Sequence, residues 1–196
     1  MRAAEAPWIC LWPQSPERPP RGRSVVVRVA VSRSRPAARS ELRVVLRKVL
    51  AAWSGLQTDR LPLSETPRGP VWEGPLCGQK LDISLSYGPG EAWIGLRQGG
   101  AIGVDVMGIE PVSGADEVAR DYLGPRVAEA IRQAARPAQV FALAWTDREA
   151  RLKCLKRGLN EWSAAHSQIE ANCACHRMIL GDRLAGAVAT RSDAEL

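Results

Sequence analysis

Hydrophobic and polar positions divide the chain into short, readable segments. Ser24–Ser32 reads SVVVRVAVS, a β-branched run that predicts a strand. Arg33-Ser34-Arg35-Pro36 interrupts it. Beyond, Leu42, Val45, Leu46, Val49, Leu50 and Trp53 recur at spacings of three and four. That spacing predicts a helix with one buried face, Ser40 as its N-cap and Gly55 as its stop. Thr66-Pro67-Arg68-Gly69-Pro70 predicts a loop and Leu81–Leu85 a strand. Glu91–Arg97 and Ala101–Met107 predict two more strands, and Gly99-Gly100 between them is a hairpin signal. From Asp116 to about Gly158 helical stretches dominate, punctuated by Pro125 and Pro137, because proline cannot continue a helix from inside. Met178–Leu180 and Leu184–Thr190 predict two short strands around Gly181-Asp182. Residues 1–23, rich in proline and arginine, predict a poorly ordered lead-in or an edge segment.

The order strand–helix–strands before residue 101 and strand–helices–strands after it predicts an α+β fold. Two similar lobes are expected, each a small antiparallel sheet with a packed helix, together a pseudo-twofold dimer within a single chain. The expected divisions are 1–23 (lead-in), 24–101 (N-terminal lobe) and 102–196 (C-terminal lobe). At 196 residues the chain can bury about 70% of its unfolded surface. Hydrophobic residues make up 45% and charged residues 24%, the balance of a globular protein and not of a disordered one. No apolar run approaches the roughly 20 residues of a membrane helix, and prolines break Met1–Pro20 too often for a secretory signal. A cytoplasmic monomer without a membrane partner is the expectation. Five cysteines, an odd number without framework spacing, predict reduced thiols. Cys173-Ala174-Cys175-His176 lacks the second pair of ligands that tetrahedral zinc requires. The net charge of +6 asks for a partner with an acidic surface or phosphates. With 5% aromatics and no nucleic-acid-binding motif, that partner is not expected to be nucleic acid.

Two segments carry candidate chemistry. Along Ile102–Met107, period two puts Ile102, Val104 and Val106 on one face and Gly103, Asp105 and Met107 on the other. A carboxylate midway along an apolar strand is costly to bury alone. Asp105 therefore lies at a strand end, meets an arginine or lysine, or holds a metal. Trp145, Glu149 and Lys153, spaced i, i+4, i+8, stack along one helix face, with Trp145 as a packing residue. Glu149 and Lys153 in that order make a favourable helix pair, worth about 0.3–0.5 kcal/mol as a surface salt bridge. Gly158 is the expected end of this helix.

Gly103-Val104-Asp105-Val106-Met107 followed by Trp145-Thr146-Asp147-Arg148-Glu149-Ala150-Arg151-Leu152-Lys153 resembles the 4′-phosphopantetheinyl transferase superfamily, whose motifs are G-[IV]-D-x-E and W-[ST]-x-[KR]-E-A-x-x-K. Lys156-Arg157-Gly158-Leu159 is similar to the K-x-x-G-x-G-L ending, with one glycine present. Length and lobe pattern resemble the two-lobed, surfactin-synthesis type. The resemblance implies transfer of the 4′-phosphopantetheine arm of coenzyme A to a serine of an apo acyl or peptidyl carrier protein, releasing 3′,5′-ADP. It implies Mg²⁺, with Mn²⁺ as a substitute, on Asp105 and Glu149. Glu149 would also help deprotonate the serine, and Lys153 would offset charge on the pyrophosphate. Such chemistry needs positioning and charge neutralisation above all, and these residue types supply both.

The chain departs from the pattern in places. Met107 stands where the family has a second acid, and a thioether does not hold Mg²⁺. Glu110 has the wrong strand parity to replace it. In Asp82-Ile83-Ser84-Leu85-Ser86, Leu85 stands where the family often has a histidine on the nucleotide phosphate, while Ser84 and Ser86 keep hydroxyls for coenzyme A. Arg68-Gly69-Pro70 resembles the family's G-[KR]-P loop, which makes Arg68 a coenzyme A contact or a solvated turn. Arg39 resembles an arginine that reaches the 3′-phosphate, or is one of the surface cations Arg33, Arg35, Arg43, Arg47 and Lys48. Met107 and Leu85 leave a second reading open, a catalytically degenerate protein that still binds carriers.

Overall fold

Trp8–Leu11 forms a short strand, β1, that pairs in parallel with β2 (Ser24–Ala30), so part of the proline-rich lead-in is an edge strand. The computed structural model describes residues 6–14, 16–20 and 22–192; residues 1–5, the beginning of the expected lead-in, lie outside them. The chain continues through α1 (Arg35–Ser54), β3 (Leu63–Thr66), β4 (Gly69–Trp72), β5 (Pro75–Leu76), β6 (Gln79–Gly88), β7 (Glu91–Gln98) and β8 (Gly100–Gly108). Then come α2 (Ala115–Val118), a π-helical turn at Ala119–Leu123, α3 (Pro125–Gln133), α4 (Pro137–Cys154), α5 (Ala164–Glu170), β9 (Ala174–Leu180) and β10 (Leu184–Ser192). The fold is α+β.

Five strands form one sheet in the order β1-β2-β7-β6-β5, three form another in the order β8-β10-β9, and β3-β4 make a separate hairpin. The valine run of β2 faces both ways. Val25, Val27 and Val29 join Ala92, Ile94 and Leu96 beneath α1, whose buried face is the expected Leu42, Val45, Leu46, Val49, Leu50 and Trp53. On the other face Val26 and Trp93 meet Ile102, Val104, Val106 and Val188 of the three-stranded sheet. The far side of that sheet carries α4, with Ala150 and Cys154 against Ala187, Ala189 and Cys173. These apolar layers set β8 between the large sheet and α4. No helix among the described residues is long and apolar enough to cross a membrane.

Four local expectations are corrected. β7 and β8 do not form a hairpin: both edges of β7 are taken, by β2 and β6, and β8 pairs with β10. Gly99, at φ 69, instead passes the chain from one sheet to the other. The first helix starts at Arg35 with Ser34 at the N-cap position, leaving Ser40 inside it. Pro36 falls in the first turn, where its missing N–H costs nothing, so the segment that stops β2 also opens the helix. The Thr66–Pro70 segment is the turn of the β3-β4 hairpin and not an open loop. The helix carrying Glu149 ends at Cys154, before Gly158: Lys156 takes the left-handed conformation (φ 56), and the Arg157 N–H donates to the Leu152 carbonyl at 2.8 Å. The expected stop at Gly55 is formed, with φ 73 and its N–H on the Ala51 carbonyl. Pro125 and Pro137 sit in the first turns of α3 and α4, as their chemistry requires.

A packing prediction follows from Gly186, which faces the Trp93 indole. A Cβ built there would lie 2.1 Å from the ring of this fully buried tryptophan. Gly186→Ala is expected to lower stability by about 1–3 kcal/mol, read as a drop in melting temperature.

Candidate functional site

β8 runs through the interior with the predicted parity. Ile102, Val104 and Val106 enter the core toward the five-stranded sheet, and Gly103 faces α4. At Gly103 the helix backbone comes so close that a Cβ would lie 1.9 Å from the Ala150 carbonyl oxygen and 2.5 Å from the Cys154 nitrogen. Glycine is the residue that lets α4 lie against the strand here. This contact brings the next residue of the same face, Asp105, to the side chains of α4.

Asp105 is buried in the middle of β8, and of its three readings the cation partner is realised. Lys153 Nζ donates to Asp105 Oδ1 at 2.7 Å and to the Val104 carbonyl at 3.1 Å. The expected helix pair between Glu149 and Lys153 is thus replaced by a pair reaching across to the strand. A second donor, the Ser86 hydroxyl, meets the same Oδ1 at 2.7 Å. Glu149 is half-buried and makes no hydrogen bond or ion pair among the described residues. Burial pushes its carboxyl above the usual value and the negative charge of Asp105 adds to this, while Lys153 and Arg148 pull the other way. One turn back, Trp145 packs on Phe141 with ring centroids 5.8 Å apart, and on Tyr122 edge-on at 6.1 Å.

The other expected site residues fall around this centre. Ser84 and Ser86 are buried, and their oxygens accept the Val104 and Val106 N–H groups at 3.0 and 3.1 Å. Arg68, in the β3-β4 turn, donates to the Lys156 carbonyl at 2.9 Å, beside the end of α4. Arg39 is exposed on α1; with Arg43 and Arg35 it acts on Tyr87, whose phenol is nonetheless pushed up by burial. No hydrogen bond or ion pair joins Arg39 to the Asp105 centre among the described residues.

Asp105 and Glu149 fit a hard divalent cation, offering two carboxylates and a shared negative charge that Lys153 offsets in part. Among the described residues no group of three or more His, Cys, Asp or Glu gathers at one point, so no third residue of these types joins the two carboxylates. That applies also to Cys173, Cys175 and His176; all five cysteines are free thiols. Met107 packs into the apolar cluster of Phe141 and Trp145, and Glu110 is exposed beyond the end of β8.

Residues 101–181 match the family model of the 4′-phosphopantetheinyl transferase superfamily. No curated protein matches the chain. The superfamily segment covers β8 through β9 and thus holds Asp105, Glu149 and Lys153 in one stretch, whereas β1–β7 lie outside it. It supports a role in phosphopantetheine transfer in general terms.

Three residues of this centre were not singled out as functional by the sequence pattern. Gly103 was matched without its reason, the close approach of α4. Asp82 accepts the Ile102 N–H at 2.8 Å and pairs with Lys156 at 2.7 Å. Lys156 stands at the first glycine of the superfamily's K-x-x-G-x-G-L ending, and its positive φ shows why glycine is favoured there. Polar residues at every second position of Asp82–Ser86 were the available signal: on a buried strand they need partners.

Proposed function

We propose that the protein transfers the 4′-phosphopantetheine arm of coenzyme A to a serine of an apo acyl or peptidyl carrier protein and releases 3′,5′-ADP. The observation that carries this reading is the Glu149 carboxyl, half-buried, unpaired among the described residues, and raised first by burial and then by the negative charge of Asp105. Such a pair asks for a cation and a proton, and both belong to this chemistry. When bound by Asp105 and Glu149, Mg²⁺, or Mn²⁺ in its place, neutralises charge on the pyrophosphate. The carrier serine oxygen bonds to the phosphorus that carries the pantetheine arm, and the bond from that phosphorus to the oxygen of 3′,5′-ADP breaks. Glu149 takes the serine proton. Lys153 holds Asp105 and brings positive charge to the same place. Arg39 and Arg68 are the proposed phosphate contacts. Ser84 and Ser86 are both engaged with the β8 backbone, and of the two only Ser86 also hydrogen-bonds Asp105 among the described residues. In this reading 24–101 and 102–196 are two lobes of the surfactin-synthesis type, and the protein works as a cytoplasmic monomer. Its +6 charge favours encounter with acidic carriers.

The test is incubation with coenzyme A, Mg²⁺ and a set of apo carriers, followed by intact-mass measurement. At least one carrier is expected to gain the mass of one phosphopantetheine arm, and Asp105→Ala is expected to remove the gain. Carriers that stay unmodified while an active transferase labels them would refute the reading. A non-catalytic carrier-binding protein is favoured by two observations: Lys153 already occupies Asp105, and Met107 is packed among apolar side chains. Calorimetry separates the two, because that protein binds carriers but not coenzyme A with Mg²⁺.

A further inference from the structure

Among the described residues β8 has a strand partner on one edge only, β10. On its other edge the N–H groups of Ile102, Val104 and Val106 point into the interior, where unpaired donors are costly. Three side chains of β6 meet them in order. Asp82 Oδ2, Ser84 Oγ and Ser86 Oγ accept at 2.8, 3.0 and 3.1 Å. These residues alternate with Leu81, Ile83 and Leu85, which pack toward α1. One strand is thus fastened to another through side chains, rung by rung.

The last rung differs from the others. Because the Ser86 oxygen is taken by the Val106 N–H, its own proton is directed to Asp105 Oδ1 at 2.7 Å. Lys153 Nζ reaches the same oxygen at 2.7 Å. Two donors on Oδ1 restrain rotation of the carboxylate, and Oδ2 receives no hydrogen bond among the described residues. We infer that Ser86 is a positioning residue, which acts through Asp105 by turning Oδ2 to the cation. The inference rests on Asp105 being a metal ligand in the proposed function. It also gives Ser86 a role other than contact with coenzyme A.

Ser84→Ala provides the matched control, since it removes a neighbouring buried rung that does not touch Asp105. Free Mn²⁺ is counted by electron paramagnetic resonance with wild type, Ser86→Ala and Ser84→Ala, each in the presence of coenzyme A, alongside melting temperatures. Both variants are expected to melt lower than wild type. Ser86→Ala is expected to bind Mn²⁺ about 10- to 100-fold more weakly, as loss of a ligand's supporting partner does, and Ser84→Ala to bind it close to wild type. Equal weakening in both variants, or no Mn²⁺ binding by wild type, overturns the inference. Carrier labelling is measured in parallel: its failure with the Mn²⁺ difference intact refutes the transfer reading and leaves the positioning role standing.

Discussion

Gly103→Ala is expected to cut carrier labelling roughly 100-fold and lower the melting temperature in one step. The added Cβ would meet the Ala150 carbonyl oxygen at 1.9 Å and the Cys154 nitrogen at 2.5 Å. Both are backbone atoms of a helix, so neither can rotate aside, and α4 must lift from β8. Overpacking of this kind costs about 1–3 kcal/mol. Activity suffers more, because α4 carries Glu149 and Lys153 while β8 carries Asp105. A displacement of about 1 Å between reacting groups is enough for a loss of roughly 100-fold. Gly158→Ala is the contrast: nothing lies within 4 Å of its Cβ position, and the melting temperature should stay near wild type. If Gly103→Ala labels carriers at the wild-type rate, the close contact does not set the geometry of the site.

Glu149→Gln is expected to stabilise the protein at neutral pH while removing its activity. The Glu149 carboxyl is raised above 4.5 by burial and by Asp105. The folded state therefore holds this proton more tightly than the unfolded chain, and the contribution to stability is full below pH 4.5. It is lost as pH rises through the folded value, above which the buried charge costs stability. The neutral glutamine does not carry that cost. Its melting temperature should exceed that of wild type at pH 7, and the gap should close near pH 4. Transfer should fall by roughly 100-fold or more, the loss expected for a general base alone. Mg²⁺ with coenzyme A should raise the melting temperature of wild type but not of the variant. A variant less stable than wild type at pH 7 would show that Glu149 is already compensated and is not held for a cation.

Legibility in the sequence followed the range of the forces involved. The buried face of α1 could be read from Leu42 to Trp53 because helical periodicity is a local property, and the same holds for the valines of β2. Pro125 and Pro137 marked breaks in the helical region for an equally local reason, and the structure places both in first turns. Pairing between strands is not local. Gly99-Gly100 signalled a reversal, but no residue there states that both edges of β7 are already occupied. Lys153 could be placed on the face of Glu149, yet its choice of Asp105 depends on how near α4 comes to β8. The motif residues of the centre were visible as a pattern; the reason for Gly103 was not, because a missing side chain reveals its purpose only when its neighbours are in place. Ser84 and Ser86 stood out by type, whereas their engagement with β8 required the three-dimensional arrangement. Lys156 was hidden because its side chain gives no hint of a left-handed backbone.

Ordinary strand pairing is indifferent to side-chain identity, since every residue but proline brings the same main-chain donor and acceptor. The seam between β6 and β8 is of another kind. Its fastenings are Asp82, Ser84 and Ser86, each specified by a single codon, so point substitution can cut or alter one at a time. Selection can therefore loosen or tighten the joint beside Asp105 in small increments, without rebuilding either sheet.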